Sequence, residues 1–136
     1  MGLRRKSREL ALQCLYQVDQ GGETEDAVEI IRSHFEVNDR SVPYVRELVD
    51  GINTHLDELD RILNKYSRHW RVNRMSVIDR NLLRIAAYEM LYKDEVPGSV
   101  AINEAVEIAK RYSSDDSAAF INGILDAVLE GVRREV

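Results

Sequence analysis

The sequence predicts an all-α protein, and two patterns support that fold class. Apolar residues recur three and four positions apart along almost the whole chain, which is the spacing of an amphipathic helix. No segment alternates apolar and polar residues over a useful length, and no Asn-Gly or Asp-Gly turn separates two such segments. The length of 136 residues fits one domain, and only two prolines interrupt it. We therefore expect a bundle of about six to seven helices.

The first predicted helix runs from about Arg4 to Asp19 and ends at Gly21-Gly22. Its core face is predicted from five side chains at helical spacing: Leu10, Ala11, Cys14, Leu15 and Val18. Residues spaced three, four and four apart form another face, made of Arg5, Arg8, Leu12 and Tyr16. We therefore expect the basic residues to share a face with an exposed aromatic side chain.

The next two helices are predicted from capping residues followed by apolar stripes. Thr24 is suited to cap a second helix that extends to about Val37. Ser41 is suited to cap a long third helix that continues to about Tyr66. Gly51 lies inside this third helix and indicates either a bend or a close helix contact.

The second half of the chain contains three further predicted helices. After a connector at residues 70–75, Ser76 caps a fourth helix that is apolar on most sides and should be the most buried one. Glu89 lies on an apolar stripe of this helix, and we interpret it as a buried, structurally paired carboxylate. A turn at residues 97–99 starts the fifth helix, and Asp115 or Asp116 caps the sixth.

Several classes of function lack the residues that they need. No G-x-G sequence or Walker-type phosphate loop is present, which argues against a nucleotide cofactor. The three histidines lie far apart and have no cysteine partner nearby, which argues against a metal site. The single cysteine, Cys14, lies on a predicted core face, where an apolar filler is expected rather than a nucleophile. We therefore predict that the protein is not an enzyme and has no cofactor.

Features of the whole chain indicate where the protein works. A lone thiol suits a reducing compartment. No apolar run approaches the roughly 20 residues that a membrane span needs, and no apolar stretch of a signal peptide follows the N-terminus. We therefore expect a cytoplasmic protein without a membrane partner.

The net charge of −5 is distributed unevenly along the chain. Residues 4–8 contain four basic side chains and no acid, whereas residues 23–60 contain eleven acids against three bases. Residues 61–84 reverse the balance again, with seven bases against Asp79 alone. A polyanion would bind at the basic segments, and the acidic remainder would limit indiscriminate binding. The second basic stretch is equally compatible with a solvated helix face.

Four motifs, in this order along the chain, resemble the NusB family. They are R-R-K-S-R-E-L-A-L-Q-C-L-Y (4–16), I-D-R-N-L-L-R-I-A-A-Y-E-M (78–90), I-N-E-A-V-E-I-A-K-R-Y (102–112) and D-S-A-A-F-I-N-G-I-L-D (116–126). Together they span nearly the whole chain. The resemblance implies a single NusB-like RNA-binding domain over residues 1–136, with helical subdomains at about residues 1–66 and 67–136.

The same resemblance implies a function and partners. It implies a transcription antitermination factor that binds boxA-type single-stranded RNA together with the ribosomal protein NusE. With other Nus factors, such a protein helps RNA polymerase to read through terminators, chiefly in ribosomal RNA operons. The same helical module forms the front domain of ribosomal RNA cytosine methyltransferases, but this chain shows no cofactor-binding sheet. A non-catalytic protein–protein adaptor is the alternative, and a homodimer stays open.

The implied contact residues lie in separate parts of the sequence. RNA binding in the family uses the arginine-rich start and the beginning of the last helix, which here gives Arg4, Arg5, Lys6, Arg8, Asp116 and Phe120. For Asp116, a bond to a base amino group and a helix cap are both open. Asp79 matches an acidic family position that meets the protein partner. Three further RNA-binding candidates come from the residues themselves rather than from the resemblance. Tyr16 is either a stacking side chain or a core-edge tyrosine, and Arg71 and Arg74 are selected by their charge.

Overall fold

The computed structural model describes residues 2–34 and 37–135, with side chains except at 24–26, 34 and 133–135. This part of the chain forms α-helices and two 3₁₀ turns and contains no strand, so the predicted all-α class is confirmed. The helices are α1 (Gly2–Asp19), α2 (Thr24–His34), α3 (Val42–Thr54), α4 (Leu56–Tyr66), α5 (Val77–Tyr92), α6 (Gly98–Tyr112) and α7 (Asp115–Glu135), and the 3₁₀ turns are Asp39–Ser41 and Val72–Arg74. Within these residues, no helix is long and apolar enough to cross a membrane. The cap predicted at Thr24 and the predicted extension of its helix through residues 35–36 lie outside the described set.

The prediction of one long third helix over residues 41–66 is wrong. Two helices, α3 and α4, occupy this range and are separated at His55, whose φ of −109° and ψ of 21° are not helical. The first turn of α4 contains Asp57 and Glu58, where the helix dipole favours acidic side chains. The interruption is therefore a new helix start after His55 rather than a bend at Gly51.

The chain divides into two compact units, residues 1–54 and 55–136. The first unit contains α1 to α3, and the second contains α4 to α7. The division lies one helix earlier than the boundary predicted near residue 66, because α4 packs on α5 and α7. Arg84 of α5 holds Asp60 of α4 through both carboxylate oxygens, which fixes α4 in the second unit.

The first unit is built on the predicted core face of α1. The side chains of Leu10, Ala11, Cys14 and Leu15 are buried where α1 packs on α2 and α3. The hydroxyl of Ser7 donates to the carbonyl oxygen of Ser41 over 3.0 Å and ties α1 to the first 3₁₀ turn. The helix ends as predicted, because Gly21 adopts a φ of 98°, a conformation that side chains other than glycine rarely adopt.

The second unit is built around α5, as its apolar sequence predicts. Residues 81–89 of this helix are all buried, and α5 packs on α4, α6 and α7. The predicted cap is confirmed, since the hydroxyl of Ser76 accepts from the backbone N–H of Asp79 over 3.1 Å. Glu89 is fully buried, which confirms the predicted location of its carboxylate.

Candidate nucleic-acid interface

The basic segment at the start of α1 presents only some of its positive side chains to solvent. Arg4 and Lys6 are exposed, and Arg5 is half-buried. Arg8 is only 4% exposed, so its predicted direct contact with RNA does not fit its position. The physical reason is that α1 packs on α3 and the first 3₁₀ turn, and Arg8 lies on the covered side of the helix. Arg8 therefore belongs to the interior of the first unit.

An aromatic ring of α3 holds one arginine of this segment in place. The guanidinium carbon of Arg4 lies 3.8 Å from the ring centre of Tyr44, and Tyr44 itself is buried. A cation–π contact of this kind contributes about 0.5–1 kcal/mol at an exposed site. Arg4 is thereby oriented although the residue is exposed, and an oriented side chain loses less entropy when it binds a ligand.

The second face of α1 is only partly exposed. Tyr16 is 49% exposed, so it is a surface tyrosine rather than a core-edge one. Leu12, one turn earlier, is 7% exposed, and Arg8 before it is buried as well. The face predicted to be continuous is therefore covered in its middle, and Tyr16 lies about 16 Å along the helix axis from Arg5. Any contact that both residues make with one RNA strand would involve separate nucleotides.

In the second unit, a cavity of about 320 Å³ opens beside the start of α7. Its lining includes Trp70, Arg74, Asp79, Asp116 and Phe120, which come from the connector, α5 and α7. The structure thus brings together Asp79, predicted to meet a protein partner, and two residues predicted to meet RNA. Such a volume is at the low end of the roughly 300–1,000 Å³ that is typical of small-molecule sites.

The start of α7 is capped by a residue that the sequence did not single out. The hydroxyl of Ser114 accepts from the backbone N–H of Ser117 over 3.0 Å, which makes Ser114 the capping residue. The prediction that Asp115 or Asp116 caps this helix is therefore wrong. Asp116 is instead exposed in the first turn of α7, where the helix dipole favours its negative charge, and it lines the cavity.

Two other side chains of the cavity are suited to bind a ligand. Phe120 is partly exposed and lines the cavity. The Oδ1 atom of Asp79 is buried and has no hydrogen-bond partner among the described residues. A buried acceptor left without a donor costs about 1–3 kcal/mol. A donor brought by a ligand or a partner would recover that energy.

The second basic stretch divides into a structural part and a surface part. Arg84 is paired with Asp60, and Arg80 donates to the carbonyl oxygen of Met75 over 3.2 Å. Arg71 and Arg74, in contrast, are exposed. The same connector exposes 53% of Trp70, which our sequence analysis did not select. The signal was present, since this is the chain's single tryptophan and it lies among arginines.

Two further observations concern possible metal-binding groups and the thiol of Cys14. Among them, no group of three or more histidine, cysteine, aspartate and glutamate side chains could hold a metal ion. Burial raises the pKa of the Cys14 thiol to about 11, although Arg46 opposes the shift. Cys14 is therefore a neutral core thiol near pH 7, in agreement with its predicted role as an apolar filler.

The sequence matches the model of the NusB family over residues 5–130. The chain belongs to the NusB family. A transcription antitermination protein NusB from Desulfitobacterium hafniense (strain DSM 10664 / DCB-2) is 47% identical to it over 135 residues, which cover 97% of this chain and 91% of the relative. Membership confirms the family that the four sequence motifs predicted.

Solved NusB structures share this fold. The structure of T. maritima NusB aligns with a TM-score of 0.83 and 33% identity over 98% of this chain and 97% of that one. A crystal structure of antitermination factors NusB and NusE in complex with double-stranded RNA aligns with a TM-score of 0.87 over 96% of this chain and 98% of that one. The identity in the second case is 24%, so this likeness shows the NusB fold alone.

Proposed function

We propose that this NusB-family chain is a transcription antitermination factor that binds boxA-type single-stranded RNA together with NusE. The observation that carries the proposal is the cavity of the second unit, which collects Asp79, Asp116 and Phe120 beside the start of α7. These are the positions at which the family resemblance places contacts with RNA and with the protein partner. A relative 47% identical to the chain is called a transcription antitermination protein, which supports the same function.

The RNA contacts are divided between the two units. In the first unit, Arg4 and Lys6 are exposed at the positive end of α1, where side-chain charge and the helix dipole both favour phosphate. Arg5 contributes as a half-buried neighbour, and Tyr16 offers an exposed ring further along the helix. In the second unit, the accessible face of Phe120 stacks on a base.

Asp116 contributes to selectivity rather than to general attraction of RNA. Because Ser114 caps α7, the carboxylate of Asp116 is not used as the cap, and Asp116 lines the cavity. A carboxylate repels phosphate but accepts from the amino group of a base. Asp116 therefore favours a base over the RNA backbone in the position next to Phe120.

The protein partner meets the second unit at Asp79. Its buried Oδ1 atom has no hydrogen-bond donor among the described residues, so a donor from NusE would stabilise the complex. In the solved complex that shares this fold, the NusB protein is bound to NusE and double-stranded RNA. With other Nus factors and RNA polymerase, the assembly acts in the bacterial cytoplasm, chiefly on ribosomal RNA operons.

The test is a binding experiment followed by a transcription experiment. Labelled boxA RNA is titrated with the chain alone, with NusE alone and with both, and tighter binding by the pair is expected. Transcription by RNA polymerase through a terminator placed after boxA should then give more read-through product when the chain is added. Binding to NusE with no RNA affinity in any combination would contradict the proposal and favour a protein–protein adaptor.

A further inference from the structure

The connector between α4 and α5 is firmly attached to the second unit. The hydroxyl of Ser67 donates to the carbonyl oxygen of Trp70 over 2.6 Å, and the backbone N–H of Val72 donates to Oδ1 of Asn64 over 2.8 Å. The side chains of Val72 and Met75 are buried at 2% and 7% exposure, and both anchor the segment. The 3₁₀ turn Val72–Arg74 is therefore a fixed element rather than a loose link.

This fixed backbone presents one aromatic and three positive side chains to solvent. They are Arg68, Trp70, Arg71 and Arg74, and we call them the connector cluster. No acidic residue occurs between Arg61 and Ile78, so no acid within this segment neutralises the cluster. An exposed tryptophan among guanidinium groups has the composition of a binding site for single-stranded nucleic acid, where bases stack on rings and cations track the backbone.

We propose that the connector cluster is a further RNA-binding element, in which Trp70 stacks on a base at the cavity and Arg71 binds phosphate. The inference rests on the proposed RNA-binding function and extends it to residues that the family motifs do not assign. Trp70 and Arg74 line the same cavity as Phe120, so a base that enters the cavity meets aromatic surface from the connector and from α7. Arg68 and Arg71 remain in solvent for the adjoining phosphates.

The charges around the cavity favour RNA over an acidic protein. Asp79 and Asp116 line the cavity, and both would repel the carboxylate of an entering acidic side chain. A nucleobase is neutral and carries amino groups that a carboxylate accepts from. The phosphates of the same strand stay outside, next to the arginines of the connector cluster. A single RNA strand fits this arrangement, because it can place a neutral aromatic base inside the cavity and its negative phosphates outside it.

The experiment uses Trp70 as its own reporter, because it is the single tryptophan of the chain. Tryptophan emission is followed while the full chain is titrated with labelled single-stranded boxA RNA, with and without NusE, and anisotropy of the label gives an independent measure of binding. We expect the emission to be quenched in step with the anisotropy. Trp70→Ala should weaken binding about tenfold or more, and Trp70→Phe should retain most of the affinity.

A charge variant tests the phosphate contact separately. Arg71→Gln should reduce the slope of log affinity against log salt by about 0.7, the value for one phosphate contact on a single strand. Lys110→Gln is the matched control on α6, since it removes the same charge from an exposed side chain that already pairs with Glu107 at 3.7 Å. Its slope should equal that of the unchanged protein.

The outcomes separate this inference from the proposed function. One outcome is that anisotropy reports RNA binding while the tryptophan emission is unchanged and the Trp70→Ala and Arg71→Gln variants keep full affinity. This outcome would overturn only the RNA-binding role of the connector cluster. No RNA binding by either measure would overturn both proposals. Quenching by NusE without RNA would assign the cluster to a protein partner and would also overturn it. Thermal unfolding of each variant establishes that it is folded under the conditions of the titration.

Discussion

Arg84 and Asp60 form a bidentate ion pair that joins α5 to α4 in the second unit. The Nε and Nη2 atoms of Arg84 donate to the two carboxylate oxygens of Asp60 over 2.8 and 2.9 Å, and Nη1 donates to Oδ1 of Asn81 over 3.0 Å. The side chains of Arg84 and Asp60 are 10% and 27% exposed, so the pair is largely removed from water. This arginine of the basic stretch therefore has a structural role.

Removing one partner of this pair should destabilise the protein strongly. Asp60→Ala leaves the Arg84 guanidinium without its counter-charge, and we expect a loss of about 3 kcal/mol, the low end for a buried pair. Urea unfolding followed by circular dichroism measures the change in the free energy of unfolding. Asp94→Ala is the control, because Asp94 is exposed and its loss should change stability by less than about 0.5 kcal/mol. Equal midpoints for the two variants would contradict the structural role of the pair.

Most of the fold follows from the sequence, because the apolar residues at helical spacing define which face of each helix is buried. Helix α1 ends where Gly21 permits a positive φ, and α5 begins where Ser76 caps it. The separation of α3 from α4 could not be predicted, because the apolar stripe continues on both sides of His55. Ser114 was missed as a cap because two aspartates follow it directly, and serine and aspartate are both common at helix starts.

The candidate site could be predicted in part. Helical spacing shows which residues share a face, but it does not show which neighbouring helix covers that face. For this reason the burial of Arg8 could not be predicted. The cavity depends on packing between α5, α7 and the connector, which the sequence does not specify. Phe120 and Asp79 were found through the family resemblance. Trp70 lies in a segment without helical periodicity, so its only signal was its composition, a single tryptophan among arginines.

Two glycines of α7 should respond to alanine in opposite directions. A Cβ atom at Gly131 would overlap the ring and hydroxyl of Tyr66, so Gly131→Ala should cost about 1–3 kcal/mol of stability. A Cβ atom at Gly123 meets nothing within 4 Å, so Gly123→Ala should stabilise the helix by about 0.4–1 kcal/mol. Thermal unfolding of both variants measures the signs. A stabilising Gly131→Ala would mean that Tyr66 moves aside without cost.

The phenol of Tyr92 should ionise at a higher pH than an ordinary tyrosine phenol. A hydrogen bond to Glu58 is the main cause that raises the pKa of Tyr92 to about 12 from its ordinary value of 10, with smaller effects from burial and the Glu58 charge. Because the pKa of Tyr92 is raised in the folded state, the hydrogen bond to Glu58 contributes fully to the stability of the protein below pH 10. This contribution is lost as pH rises towards 12. Phenolate absorbance measures the titration. Tyr92→Phe should remove the late step, and Glu58→Gln should shift it to lower pH; a late step that persists in Tyr92→Phe would assign it to another tyrosine.

The ring of Phe120 should matter for RNA binding more than for folding. If a base stacks on its accessible face, Phe120→Ala weakens RNA binding by about 1–3 kcal/mol. Val106→Ala, which shortens a partly buried side chain of α6, is the control for general loss of packing. Anisotropy titrations with labelled RNA give the affinities, and thermal unfolding gives the stabilities. Similar losses of affinity in both variants would show that Phe120 acts through the core.

Two basic residues of α1 should give different results when they are replaced by alanine. Lys6 is exposed, so Lys6→Ala should leave stability unchanged and lower the slope of log RNA affinity against log salt by about 0.7. Arg8 is buried and interacts within the protein. Arg8→Ala would leave the groups that interact with Arg8 without their partner, so it should cost about 1–3 kcal/mol of stability. The salt slope of folded Arg8→Ala protein should stay that of the unchanged chain, because its guanidinium does not reach phosphate. A reduced slope for Arg8→Ala with an unchanged slope for Lys6→Ala would reverse the assignment and place Arg8 on the RNA.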